Sequence, residues 1–192
     1  VTITYALSDE LSITAGNILS YQGFETFDAT GLYQFSYAGV GGTPLYSAGY
    51  AVGASVDYVT DAFAVGAWVG DTDDAVAGDG DGDASYEFLV AYTGVENLTI
   101  KAIYADDPGY ETINVWASYD LGDLTFAVES VETEVAGADF LDVQMAMVYY
   151  AMGDAGITLR VTDGDYAGVD YEKVTISPSY AFSDNVFGLV EF

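Results

Sequence analysis

The chain contains no cysteine and no histidine, and only 3 of its 192 residues are lysine or arginine. Without cysteine it can form neither disulfides nor thiolate zinc sites, and without histidine it has no histidine-based catalytic constellation. No stretch approaches the roughly 18 apolar residues that a membrane-spanning helix needs. No export signal stands at the start, and we expect that one has been removed. These absences exclude most hydrolase mechanisms and any bundle of membrane helices.

The acidic residues number 31, which gives a formal net charge of −28. A disordered acidic tail is nevertheless excluded, because 51% of the chain is hydrophobic. Tyrosine, of which there are 17, is favoured where one end of a side chain is apolar and the other end is wet. The charge disfavours binding to nucleic acid. It would suit saline surroundings, where salt screens self-repulsion.

Apolar residues alternate with small or polar ones in segment after segment, and Gly, Asp, Asn or Ser bounds each segment. This period of two predicts β-strands, and no boundary divides the chain into domains. We therefore predict a single domain over residues 1–192 that contains twelve strands. They cover approximately 1–7, 11–19, 48–58, 62–71, 86–93, 98–105, 111–120, 124–133, 140–151, 156–163, 171–182 and 186–192.

The predicted connections alternate in length. Every second one is tight, as a hairpin requires, whereas the intervening ones at 20–46, 72–85, 106–110, 134–139 and 164–170 are longer or more polar. Short turns on one rim and longer loops on the other are typical of an outer-membrane barrel. The aromatic-rich segment 20–46 either folds into the barrel as a constriction or packs on its outer rim or at a subunit contact.

Each strand has an apolar and a polar face. The seventh places Val115 opposite Asn114, and the ninth places Leu141, Val143, Met145, Met147 and Tyr149 opposite Asp142 and Gln144. A membrane barrel turns the apolar face to lipid and the polar face to the lumen. The basic residues then either neutralise nearby acids or form a transverse field across a constriction. We predict that the lumen is lined by Glu87, Lys101, Asn114, Glu129, Asp142, Gln144, Arg160, Lys173 and Glu191.

A β-sandwich would produce the same alternation, so the position of the tyrosines is the sharper criterion. Five tyrosines on the predicted apolar face stand within a few residues of the tight turns. A row of tyrosines at one depth indicates an aromatic girdle at a membrane surface, although tyrosine is also a good strand former in any sheet. The predicted girdle consists of Tyr58, Tyr92, Tyr119, Tyr149 and Tyr180.

The stretch 13–58 resembles the first third of the OmpL-like β-barrel porin family. The elements that carry the resemblance are Ala15-Gly16, Gly23-Phe24-Glu25, Ser36-Tyr37, Pro44 and Gly49, while Ser47-Ala48 replaces the family's usual His-Thr. The resemblance implies a pore for small solutes in the bacterial outer membrane, with no catalytic residues. The rest of the chain is similar to the family only in its repeated hairpins.

Two features of the chain ends lead to different expectations about whether the barrel is complete. If the tight turns face the periplasm, both termini lie on the long-loop side, and we expect a missing outer strand at one or both ends. Phe192 resembles instead the terminal aromatic residue of a complete barrel, with Gly188 and Val190 at alternate positions before it.

The acidic segment 71–85 brings Asp79, Asp81 and Asp83 together among glycines. Flexible carboxylates of this kind ligate calcium, but Ala84 and Val90 occupy positions where an EF-hand requires Gly and Glu. A weak Ca²⁺ site and a solvated acidic loop both remain open, and no other cofactor is expected. Enzymatic activity is not expected either, because no sequence signal places a pair such as Glu129 and Glu191 at a cleft.

The sequence thus predicts an all-β, antiparallel, up-and-down transmembrane barrel of 12 to 14 strands. Its predicted function is passive, cation-preferring diffusion of small hydrophilic solutes across the outer membrane. Its predicted partners are outer-membrane lipid, small solutes and cations, with a homo-oligomer open. The alternatives are a soluble β-sandwich that binds carbohydrate or calcium and a structural barrel that does not conduct.

Overall fold

A computed structural model describes residues 1–25, 27, 32–39, 49–71 and 84–192. In these residues the segments in which apolar residues alternate with small or polar ones form twelve strands. None of the described residues forms a helix that is long and apolar enough to cross a membrane. The strands are β1 (Thr2–Ala6), β2 (Leu11–Leu19), β3 (Tyr50–Val59), β4 (Phe63–Asp71), β5 (Ser85–Tyr92), β6 (Leu98–Asp107), β7 (Tyr110–Leu121), β8 (Leu124–Val135), β9 (Ala138–Met152), β10 (Ala155–Tyr166), β11 (Val169–Ser183) and β12 (Val186–Leu189).

All twelve strands belong to one antiparallel sheet, in which each strand pairs with its neighbours in the sequence from β1 to β12. This is the predicted up-and-down meander, and the strand number lies within the predicted range. A β-sandwich would divide the strands between two sheets. The sandwich alternative is therefore wrong.

The two faces of the sheet reverse the pattern of a water-soluble protein. On β5, Ser85 and Glu87 are buried, whereas Phe88 and Val90 on the opposite face are exposed. On β7, Asn114 is 0% exposed and Val115 is 41% exposed. We call the face that carries Glu87 and Asn114 the inner face, and the face that carries Val115 the outer face. An apolar outer face around a polar interior is what a barrel in lipid requires.

The faces of β9 are the reverse of the prediction. Val143 and Met145 lie on the inner face and are 0% and 2% exposed, while Asp142 and Gln144 are exposed on the outer face. The pairing fixes this orientation, because Met145 lies directly opposite inner-face Glu129 of β8. The prediction failed because it equated the apolar face with the lipid face, whereas here the interior itself is partly apolar.

Three of the predicted longer connections are two-residue turns. Strands β8 and β9 meet at Ala136-Gly137, and β10 and β11 meet at Ala167-Gly168. All four residues have positive φ, as the two-residue hairpin turns that suit twisted strands require. Alanine is rare in that conformation, so the turns were hidden from the sequence. The loop-length asymmetry predicted for 106–110, 134–139 and 164–170 is therefore wrong.

Candidate functional site in the barrel interior

The described residues 20–25 and 32–39, here called the crossing segment, leave the end of β2 and run across the inner face. Backbone N–H groups of its first half donate to three successive parts of the sheet. Tyr21 donates to Glu87 of β5 at 2.7 Å, Gly23 to Asn114 of β7 at 2.8 Å, and Phe24 to Glu129 of β8 at 3.1 Å. A segment outside the sheet needs acceptors for its N–H groups, and inner-face side chains supply them. A single segment reaches all these strands because the sheet curves around it.

The second half of the crossing segment is held by a later part of the wall, at β10, β11 and Glu191. The Arg160 guanidinium of β10 pairs with Glu25 and also donates to the Ser36 carbonyl at 2.7 Å. Ser36 in turn donates its N–H to Glu191 at 2.8 Å. The Lys173 ammonium of β11 donates to the Ser36 hydroxyl and to the Tyr37 carbonyl, both at 2.7 Å. Charged side chains of the wall therefore fix the segment at both halves.

Apolar contacts fill the space between these polar anchors. Phe24 lies between Trp116 of β7 and Tyr33, with ring centroids 5.5 and 5.8 Å away. Tyr33 in turn lies 5.3 Å from Tyr149 of β9. Beneath these rings a buried cluster joins the segment to β8 and β9, and its members are Ala38, Ala127, Val131, Val143, Met145 and Met147. This cluster explains why β9 turns its methionines inward.

Tyr21 anchors the first half a second time through its side chain. Its hydroxyl donates to Asp57 of β3 at 2.5 Å. Gly66 of β4 makes room for this contact, since a Cβ added there would lie 2.8 Å from the Tyr21 hydroxyl oxygen and 2.7 Å from Asp57 Oδ1. Burial raises the pKa of Tyr21, and the hydrogen bond with Asp57 adds to that effect, so the phenol stays a donor.

The Phe35 side chain of the crossing segment faces away from the wall. It is 79% exposed, whereas its neighbour Gln34 is fully buried and donates to the Thr175 carbonyl at 3.3 Å. The Phe35 ring is therefore not packed against the wall.

Burial raises the pKa of the Glu25 carboxyl, and the nearby Arg160 guanidinium opposes that rise. The two groups meet in a region from which most solvent is excluded, because both side chains are almost completely buried. Their pairing is therefore screened little by salt, unlike a surface ion pair.

Seven of the nine residues predicted to line the lumen lie on the inner face or point to the crossing segment. Six of them contact the segment directly: Glu87, Asn114, Glu129, Arg160, Lys173 and Glu191. Lys101 lies instead over the Trp116 ring, 5.0 Å from its centroid. Asp142 and Gln144 are on the outer face, so their assignment to the lumen was wrong. That the seven inward residues line a pore stays a prediction, and their contacts with the crossing segment were not foreseen.

The predicted girdle is found in part. Tyr58, Tyr119 and Tyr180 are exposed on the outer face near the tight turns, and Tyr92 packs on Phe63 beside them. Tyr149 was misassigned, because it points inward and its ring lies over Gly156. Its neighbour Tyr150 takes the outward place and is 43% exposed. That this row marks a membrane surface stays a prediction.

Sequence reasoning missed the polar residues of the crossing segment that make these contacts, above all Ser20, Gln34 and Ser36. Their partners on the wall lie 67 to 155 residues away, so no local pattern marks them. A usable signal was the presence of several aromatics and one glutamate in a long connection. The possible calcium ligands Asp79, Asp81 and Asp83 lie outside the described residues.

Comparison with known proteins identifies the architecture. No protein-family model and no curated protein matches the chain. Two solved variants of the Rh. blastica porin, with five and three substitutions, are 19% and 20% identical to it, each with a TM-score of 0.65 and coverage of 95% of this chain and 68% of theirs. Pseudomonas aeruginosa OpdQ is 12% identical, with a TM-score of 0.64 and coverage of 91% and 58%. The chain has a porin-like β-barrel fold. At these identities the likeness shows the fold alone, and the OmpL-like resemblance stays a prediction.

Proposed function

We propose that the chain forms a passive diffusion pore for small hydrophilic solutes in a bacterial outer membrane. The observation that carries this proposal is the reversal of faces, with Glu87 and Asn114 buried inside and Phe88 and Val115 exposed outside. Such a surface is stable in lipid and not in water. The bacterial porins with the same fold support the location and the class of function. No enzymatic role is proposed.

The crossing segment acts as the constriction in this proposal. It is fixed to separate parts of the wall by Glu87 and Arg160, so it narrows the lumen without following the wall. Phe35 then projects into the remaining passage. The segment sets an upper size limit for solutes, because hydrogen bonds hold it along its length and it cannot move aside.

The pore prefers cations in this proposal. The charge balance supports this preference, because the chain has 31 acidic and only 3 basic residues. Two of the basic residues, Arg160 and Lys173, donate hydrogen bonds to the crossing segment. An acidic mouth raises the local concentration of cations. A single domain, a weak Ca²⁺ site at Asp79, Asp81 and Asp83 and a homo-oligomer belong to the same proposal.

A second candidate is a structural barrel that does not conduct. It is favoured by the extent of packing inside, where Asn114 is 0% and Arg160 is 1% exposed beneath the crossing segment. If the segment fills the interior completely, the barrel is an anchor or coat protein rather than a pore.

Solute flux and ion selectivity test the proposal together. Liposomes that contain the purified protein should swell in small sugars and not in large ones, and the reversal potential under a salt gradient should favour cations. The preference should shrink as the Debye length falls from about 10 Å at 0.1 M to about 3 Å at 1 M salt. Anion selectivity would contradict the charge argument, and absence of swelling would favour the second candidate.

A further inference from the structure

The outer face carries a hollow that spans five strands. It has a volume of about 530 Å³ and lies across β6 to β10. One row of paired residues forms its floor, and the row consists of Ile100, Ala117, Val128, Ala146 and Val161. Neighbouring strands lie about 4.8 Å apart, so a row of five extends roughly 19 Å. The hollow is an elongated groove rather than a round pit.

Small side chains make this groove. Ala117 and Ala146 alternate with valines along the floor, and Ser130 lies in the next row toward the turn between β8 and β9. Larger side chains stand in neighbouring rows on both sides. Tyr119 and Phe126 stand toward the turn between β7 and β8, and Tyr104 and Ile113 stand toward the turn between β8 and β9. The wall is therefore locally hollow between these rows of larger side chains.

The chemistry of the groove changes along its length. The β6 end, at Ile100, is apolar, whereas the β10 end brings Ser130, Gln144 and Asp163 together in one row. Asp163 lies directly opposite Gln144 and is exposed. A ligand that fits must be apolar over most of its length and must bear a donor group, preferably a cation, at one end.

This inference rests on the proposed function, because only in a membrane is the outer face covered by lipid. An unfilled hollow loses the dispersion contacts of its lining, so hydrocarbon that fills it gains contacts that a flat wall does not offer. The outer face near the β10 end is strongly acidic, with Glu132, Asp142, Asp165 and Glu172 exposed or half-exposed around Asp163. Those carboxylates repel a phosphate-only head group and attract an amine.

We propose that the groove across β6 to β10 binds one membrane lipid that carries an amine in its head group. Its acyl chain lies along Ala117, Val128 and Ala146, and its ammonium group meets Asp163 and Gln144. The wall thus selects one lipid from the bilayer, in a defined orientation, outside the solute pathway.

Native mass spectrometry of the purified protein tests this directly, with equimolar phosphatidylethanolamine and phosphatidylglycerol as the probes. The wild-type protein should retain one phosphatidylethanolamine molecule. Ala146→Phe fills the floor and should lower that retention by about tenfold, which corresponds to the loss of about two buried methylene groups. The matched control is Ala67→Phe, on the exposed outer face of β4 and away from the groove, and it should retain the lipid.

The head-group contact has its own pair of variants. Asp163→Asn should reduce the retention of phosphatidylethanolamine to that of phosphatidylglycerol, whereas Asp106→Asn, an exposed acid of β6 outside the groove, should leave the preference intact. Equal retention by wild type and Ala146→Phe, or equal loss in Ala67→Phe, would overturn the proposal. So would a dimer that Ala146→Phe dissociates, because the occupant would then be a second copy.

Conductance measured on the same samples separates the two proposals. A protein that conducts but retains no lipid contradicts the groove alone. A protein that retains the lipid selectively but does not conduct supports the groove and contradicts the pore.

Discussion

Arg160 of β10 pairs with Glu25 of the crossing segment, 135 residues away in the chain. The same guanidinium also donates to the Ser36 carbonyl, so one side chain holds both halves of the segment. Few side chains can do this, because the guanidinium is planar, always charged and rich in donors. The shape of the interior thus depends on a contact that joins distant parts of the sequence.

Replacing Arg160 by Met should destabilise the barrel and loosen the crossing segment. Removing one partner of a buried ion pair leaves the other charge uncompensated and costs about 3–5 kcal/mol. The control is Lys101→Met, since Lys101 lies over Trp116 and makes none of the described contacts with the segment. Denaturant unfolding in detergent measures both variants, and similar losses in the two would contradict the anchoring role of Arg160.

Glu25 should make the stability depend on pH. Burial raises its pKa above the ordinary 4.5, so the folded chain binds this proton more tightly than the unfolded chain. The stability that Glu25 contributes is therefore fully present below about pH 4.5 and is lost as the pH rises through its folded pKa. The difference in unfolding free energy between wild type and Glu25→Gln should fall over that window. A difference that is flat or that rises with pH would show that the carboxyl is not desolvated.

Gly66→Ala should displace Tyr21 from Asp57. The added Cβ would lie 2.8 Å from the Tyr21 hydroxyl oxygen, well inside van der Waals contact. We expect a loss of about 1–3 kcal/mol, as for other overpacked sites. In a Tyr21→Ala background the same substitution should cost much less, because contacting residues are not additive. Additive losses in this double-mutant cycle would place the strain elsewhere.

Much of the fold was accessible from the sequence, because strand alternation and most turn residues are local signals. Val115 and Asn114 were assigned to the correct faces for this reason. The assignment failed for Val143 and Gln144, where the crossing segment packs apolar side chains against the inside of β9. It also failed at Ala136-Gly137, whose conformation alanine rarely adopts. Contacts such as Arg160 with Glu25 could not be predicted, since nothing near either residue specifies the other.

Arginine substitutions test the faces as the structure defines them. Val115→Arg should cost about 2–4 kcal/mol, the cost of a charge on the lipid side near mid-membrane. Ser118→Arg should be tolerated, because Ser118 lies on the inner face of the same strand and is only half-buried. On β9 the order reverses the sequence-based expectation, and Val143→Arg should be far more damaging than Gln144→Arg. Refolding into lipid vesicles measures these differences, and equal tolerance within each pair would contradict the orientation of the wall.

The central claim is that solutes pass between the crossing segment and the wall, and single-channel recording in planar bilayers tests it most directly. Purified protein should produce discrete conductance steps, and Phe35→Ala should enlarge them because we propose that this exposed ring narrows the passage. Protein that inserts into the bilayer but produces no steps, in both the wild type and Phe35→Ala, would contradict the pore and show that the crossing segment closes the barrel.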